Sequence, residues 1–124
     1  MTKDELRQLI SEIRQSNAIP KMDYHFKKHS EDFSVYTKEE YQRVLDSHVL
    51  KQDMRFFTTV QKNGVRVWYL VDEQDSIISE YNENARQHYS IYRSQSVSSF
   101  LNGIKDWAVE VDGSQAKVLL AWKP

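Results

Sequence analysis

Apolar positions repeat at two different periods along this chain, three or four residues apart near its start and every second residue later on. Leu6, Leu9, Ile10 and Ile13 keep the first period, behind Thr2-Lys3-Asp4-Glu5. That tetrapeptide has the Thr-x-x-Glu form of a capping box, with acidic side chains at the positive end of the helix dipole. The spacing predicts a helix over roughly 3–16, ended by Asn17 and Pro20. Thr37-Lys38-Glu39-Glu40 repeats the cap, and Tyr41, Val44, Leu45 and His48 line a second helix to about Leu50. After Met54 the period shortens. Arg55 to Val60 is rich in strand formers, Asn63-Gly64 signals a type I′ hairpin, and Val65 to Val71 resumes as a strand. Glu73-Gln74-Asp75 reads as the next turn, with Ile77, Ile78 and Tyr81 on a third strand and Asn82-Glu83-Asn84 breaking it. Gln87 to Arg93 alternates again as a fourth.

Val97, Phe100, Leu101, Ile104 and Trp107 return to helical spacing behind the candidate caps Ser94, Ser96 and Ser98, with Gly103 weakening the helix. Asp112-Gly113 then separates Trp107–Val111 from Lys117–Trp122 as a closing hairpin. The expected fold is α+β. Two N-terminal helices pack on one face of a twisted antiparallel sheet of four or more strands, with a third helix near 97–107 and a C-terminal hairpin.

Composition narrows the function classes. A chain of 124 residues with 7 Tyr, 5 Phe and 3 Trp can bury a core as one domain, 1–124, without metals or crosslinks. The absence of cysteine rules out disulfides, thiolate metal sites and cysteine nucleophiles. The N-terminus lacks the apolar core of a signal peptide, and no apolar run approaches the ~20 residues of a membrane span. A cytoplasmic protein without membrane contact is expected. The formal charge of −1 argues against a nucleic-acid partner unless positive charge is gathered on one face.

One stretch gathers it. Tyr24-His25-Phe26-Lys27-Lys28-His29, followed by Ser30-Glu31-Asp32-Phe33, holds two histidines and two lysines on a loop or short helical turn between the helices. Lysine supplies a compact positive charge, and the unperturbed histidine pKa lies near neutrality. RNA cleavage by transesterification needs a base for the 2′-hydroxyl proton, an acid for the leaving 5′-oxygen, and positive charge on the phosphate. His29 serves as base or acid, His25 as its partner, and Lys27 or Lys28 as the phosphate charge, with Arg93 a second candidate. No metal or other cofactor is required.

The segment from Phe26 to Phe33 resembles the start of the catalytic domain in colicin D-type ribonuclease toxins, a group that includes nuclease tips of contact-dependent inhibition systems. Its members show an aromatic, one or two lysines, a histidine, two variable residues and then Asp-Phe. Thr37-Lys38-Glu39-Glu40-Tyr41 is similar to the helix start that follows in the family. The resemblance covers residues 24–41, with a vaguer match to about residue 70. It implies helices followed by a twisted antiparallel sheet and metal-independent cleavage of RNA, tRNA included. It also implies that the motif histidine and lysine work with a Ser or Thr on a late strand, before an aromatic. Ser98 and Ser99, before Phe100, are the nearest matches, so Ser98 joins His29, Lys28, Lys27 and His25 as a catalytic candidate. Arg93, Ser99 and Phe100 are the candidates for binding substrate.

Each of these residues also has a structural reading. If residues 24–29 are helical, His25 and His29 share a face and the lysines are a solvated edge. Ser98 caps a helix in that reading. His48 and His88 are isolated and read as packing or surface; Asp72, Glu73 and Asp75 read as a solvated turn. Trp68, Tyr69, Tyr81, Tyr89 and Tyr92 can stack on bases, or fill the sheet faces. The functional alternative to the ribonuclease is a non-enzymatic interaction protein, such as an immunity, regulatory or phage or plasmid accessory module. Its partner would be a protein, as an antitoxin or immunity protein is for a toxin; RNA binding without cleavage stands third.

Overall fold

The computed structural model describes residues 3–16, 19–112 and 117–118. Leu6, Ile10 and Ile13 form the buried stripe of α1 (Lys3–Gln15), as residues three and four apart on a helix must. Thr2 and Asn17, the expected start and stop signals, lie outside the described residues.

The histidine cluster is neither loop nor single turn. It forms a helix of its own, α2 (Met22–His29), continued by a 3-10 turn over Ser30–Phe33. Two residues in the left-handed region bracket this segment, Lys21 at φ 55° and Ser34 at φ 53°. Met22, Phe26 and Phe33 anchor it on the core, and the remaining positions are free to carry charge. The second expected capping box then opens α3 (Lys38–His48). Thr37 Oγ1 accepts from the Glu40 N–H at 3.1 Å, and Glu40 Oε1 accepts from the Thr37 N–H at 3.1 Å. Two donors that a helix start would leave unpaired are thereby satisfied.

Four strands follow as an antiparallel meander: β1 (Arg55–Val60), β2 (Arg66–Asp72), β3 (Ile77–Asn82) and β4 (Gln87–Arg93). The first turn differs in type from the expectation. Of Asn63-Gly64 only the glycine has positive φ, at 84°, and the Gly64 N–H reaches back to the Gln61 carbonyl at 2.9 Å. A type I′ turn would need positive φ at both residues. After β4 comes α4 (Val97–Ile104), then β5 (Val109–Asp112) and the short β6 (Lys117–Val118). The C-terminal hairpin joins the sheet beside β1, giving the order β4-β3-β2-β1-β5-β6. The rest of the expected last strand lies outside the described residues.

Strand alternation divides the sheet into two apolar faces. Phe56, Trp68, Leu70, Ile77, Tyr81, Ile91 and Val111 pack against α1, α2 and α3. Phe57, Val67, Tyr69, Val71 and Ile78 point the other way and meet Val97, Phe100, Leu101 and Ile104 of α4. The two expected N-terminal helices, α1 and α3, share the first face, and the third expected helix, α4, covers the second. It also ends before Trp107, whose indole N–H caps the Gly103 carbonyl at 2.9 Å.

Candidate functional site

Because α2 is helical, His25 and His29 stand one turn apart on the same side, with rings within 10° of parallel and centroids 6.5 Å apart. The helix lies along the exposed edge of β4, and the His29 ring also stacks on Tyr92 at 5.7 Å. The chain then turns tightly through the 3-10 segment and returns Asp32 to His29. Asp32 Oδ2 lies 3.1 Å from His29 Nδ1, with the two side chains 32% and 15% exposed. With Asp32 ionised, Nδ1 carries the hydrogen. Nε2 is then the acceptor in the neutral ring and a donor in the imidazolium, the arrangement a proton-transfer histidine needs.

Arg93 fixes the aspartate. Its backbone N–H donates to Asp32 Oδ2 at 3.4 Å, and its Nε donates to the Asp32 carbonyl at 3.0 Å. The same guanidinium donates to the Asp75 carbonyl at 2.6 Å and lies 5.5 Å over the Phe33 ring. Arg93 thus reaches the histidine through Asp32, and its charge is engaged with main-chain carbonyls. On its far side opens a cleft of about 440 Å³ lined by Phe33, Arg43, His48, Lys51, Asp75 and others.

His25 is a different kind of neighbour. Its Nδ1 is buried without a hydrogen-bond partner. Burial, then the charges of His29, Lys28 and Lys21, hold its pKa below the ordinary histidine value. Lys28 carries its ammonium 5.7 Å over the Tyr24 ring, and Lys27 is exposed.

The second sheet face brings further groups to this edge. Glu80 sits directly between Tyr69 of β2 and Ser90 of β4 in the strand register, and Tyr92 follows two residues after Ser90 on the same face. The Ser90 hydroxyl donates to Glu80 Oε2 at 3.2 Å. Burial raises the Glu80 pKa, opposed by the Ser90 bond and by the positive charges of His29 and Lys28. Burial, with Glu80 adding to it, pushes the Tyr69 phenol up to about 12 and raises Tyr92 as well.

The structure therefore assembles His29, His25, Lys28 and, through Asp32, Arg93. It does not bring Ser98, Ser99 and Phe100 to them: among the described residues no hydrogen bond or ring contact joins the two sets. Ser98 is exposed in the first turn of α4, and its expected capping role belongs to Ser96, whose hydroxyl accepts from the Ser99 N–H at 3.2 Å. Phe100 packs edge-on against Tyr69 at 5.5 Å. His48 and His88 are core residues, with Nε2 atoms 3.0 Å from Ser79 Oγ and 3.2 Å from the Ile13 carbonyl. Trp68 and Tyr81 are buried under the helices, whereas Tyr69, Tyr89 and Tyr92 line the second face.

Sequence reasoning missed two groups. Asp32 entered only as a motif letter, although its spacing of three from His29 was the signal. Glu80 was passed over, although a carboxylate in the middle of a strand between Ile78 and Asn82 is the visible sign of a charged residue on a covered face. Among the described residues no three His, Cys, Asp or Glu side chains are grouped to hold a metal ion, and no helix is long and apolar enough to cross a membrane. No protein-family model matches the chain, and comparison with curated proteins and with solved structures finds no match to either.

Proposed function

We propose that this chain is a metal-independent endoribonuclease-like domain of toxin type, with tRNA among its substrates, working by general acid/base chemistry. The observation that carries the reading is the His29–Asp32 pair, held at 3.1 Å with Nε2 opposite the bonded nitrogen. Asp32 orients the ring and supports its imidazolium, as a carboxylate does for a proton-transfer histidine in hydrolases. Lys28 supplies positive charge beside it, and the Tyr92 ring against His29 offers a face on which a base stacks. Transesterification needs these elements and a 2′-hydroxyl, which the substrate brings; a metal has no necessary part in it. The test is incubation of purified protein with total tRNA in the presence of a chelator. The expected result is discrete fragments from wild type and none from His29→Ala. Intact tRNA with wild type, or equal cleavage by the variant, sinks the reading.

A second reading has its own observation. Tyr36 is 86% exposed and Tyr24 57% exposed, both on the segment from α2 to the start of α3, and tyrosines are enriched where proteins meet. In that reading the chain is a non-enzymatic interaction module. Growth of an overexpressing host separates the two: arrest relieved by His29→Ala supports the enzyme, and unaffected growth supports the module.

A further inference from the structure

Glu80 occupies a position that stability does not explain. It lies in the middle of β3, with β2 on one side and β4 on the other, and its side chain shares a face with Tyr69, Ser90 and Tyr92. Among the described residues its hydrogen-bond donor is the Ser90 hydroxyl, and no cation comes within ion-pair distance. Glu80 is half-buried, and a carboxylate that gives up part of its hydration for one neutral hydrogen bond loses stability that an apolar residue in this row would not. A carboxylate kept in such a place, beside a histidine, is a functional candidate on physical grounds.

The row leads to His29. Ser90 and Tyr92 are alternate residues of β4, and the Tyr92 ring stacks on His29. The groups that face Glu80 are Tyr69 from β2, Ser90 and Tyr92 from β4, and Lys28 and His29 from α2. Two are phenols and one a hydroxyl, so Lys28 and, when protonated, His29 are the positive charges it meets. Burial raises the carboxyl group toward the range where a general base works, while the cations keep it able to ionise.

We propose that Glu80 is the proton acceptor of the site, taking the 2′-hydroxyl proton of a ribose placed against Tyr92, while His29 is the proton donor. The inference rests on the ribonuclease reading and deepens it. The O2′–P bond forms as the P–O5′ bond breaks. The proton from O2′ passes to Glu80, and the proton on His29 Nε2 passes to O5′. The products are a 2′,3′-cyclic phosphate and a free 5′-hydroxyl, and return of the proton through water resets the pair. The geometry prefers Glu80 to His25 for this role. The His25 ring lies parallel to that of His29, with its Nδ1 buried and unpartnered, whereas Glu80 is the strand partner of Ser90, two residues from the Tyr92 that stacks on His29. The step demands a 2′-hydroxyl, so the substrate class is RNA and not DNA.

The test is Glu80→Gln, which keeps the shape and an oxygen to accept from Ser90. Single-turnover cleavage of a short RNA is followed from pH 4 to 9, alongside thermal melting. The expected outcome is a loss of about 100-fold or more, the usual worth of a positioned base, together with disappearance of the acid limb and an unchanged or higher melting temperature. An oligomer with a single 2′-deoxyribose at the scissile position is expected to stay intact. Cleavage by Glu80→Gln within threefold of wild type, while His29→Ala is inactive, overturns the role of Glu80 and leaves the ribonuclease standing. A wild type that cleaves no RNA overturns both. Should Glu80→Gln lose its cooperative melt, Glu80→Asp decides: a slower reaction with a displaced acid limb supports the role, and a profile identical to wild type overturns it.

Discussion

Acidification from pH 7 to pH 5 should destabilise the fold through two buried histidines. His48 and His88 are 1% and 0% exposed, and burial pushes the pKa of each from 6.5 down to about 4. The His88 Nε2–H donates to the Ile13 carbonyl, so neutral imidazole is the form the core accepts. The sign follows directly. The unfolded chain begins to bind these protons near pH 6.5 and the folded chain only near pH 4, so stability falls with pH across that window and levels off below it. With those two values, each histidine removes about 2 kcal/mol between pH 7 and pH 5. Glu80, whose pKa is raised, acts in the opposite direction and offsets part of the loss. A net fall of about 2–4 kcal/mol is expected for the pair, a large share of a typical domain's stability. Urea titrations at pH 7, 6, 5 and 4, followed by tryptophan fluorescence, measure it. His88→Gln keeps an amide donor toward Ile13, and should cut the pH dependence by about half whatever its own stability. A midpoint at pH 5 equal to that at pH 7, or an undiminished slope in His88→Gln, would refute the reasoning.

Two further expectations concern the segment that carries the site. Asp32→Asn keeps the shape but removes the charge that holds the His29 ring, so cleavage should drop at least tenfold with the melt preserved; a wild-type rate would detach Asp32 from the chemistry. Ser34 sits at φ 53° and ψ 40° where the 3-10 turn ends, a conformation that costs a side-chain-bearing residue about 1 kcal/mol. Ser34→Gly should therefore stabilise by ~0.5 kcal/mol net of glycine's extra unfolded-state entropy, seen as a rise of a few degrees in melting temperature; a fall would show that the serine makes compensating contacts.

Much of this fold is legible along the chain, for physical reasons that differ from place to place. β1 and β4 fall where alternation places them, because a sheet side chain has only two directions to point. The Thr37–Glu40 box marks α3 because both halves of the cap are local. The helix α2 is harder to see, since Met22 and Phe26 are its main core contacts and the entry through Lys21 requires a left-handed backbone that no local signal announces. Helical spacing identifies α4, yet says nothing about which sheet face it covers. That choice depends on the path of the chain after β4. The candidate caps Ser94, Ser96 and Ser98 compete equally along the sequence until the extended backbone at Ser96, φ −149°, selects one.

The candidate site divides the same way. His29 and its lysines stand out as a cluster, and Asp32 lies three residues away, so this half is sequence-local. Glu80 is 51 residues distant and joins only through the β3–β4 register and the seating of α2 on the β4 edge. A carboxylate in a strand ordinarily points to water. Here it lies half-buried on the face where α4 packs, beside the β4 edge that α2 lines, and that is a property of the assembled layers.

The most direct test of the account is the reaction of wild type and His29→Ala with total tRNA in chelator, with the ends of the fragments identified chemically. The account predicts discrete fragments bearing 2′,3′-cyclic phosphate and 5′-hydroxyl ends from wild type, and none from a folded His29→Ala. Intact tRNA with wild type, or the same fragments from both proteins, would contradict it.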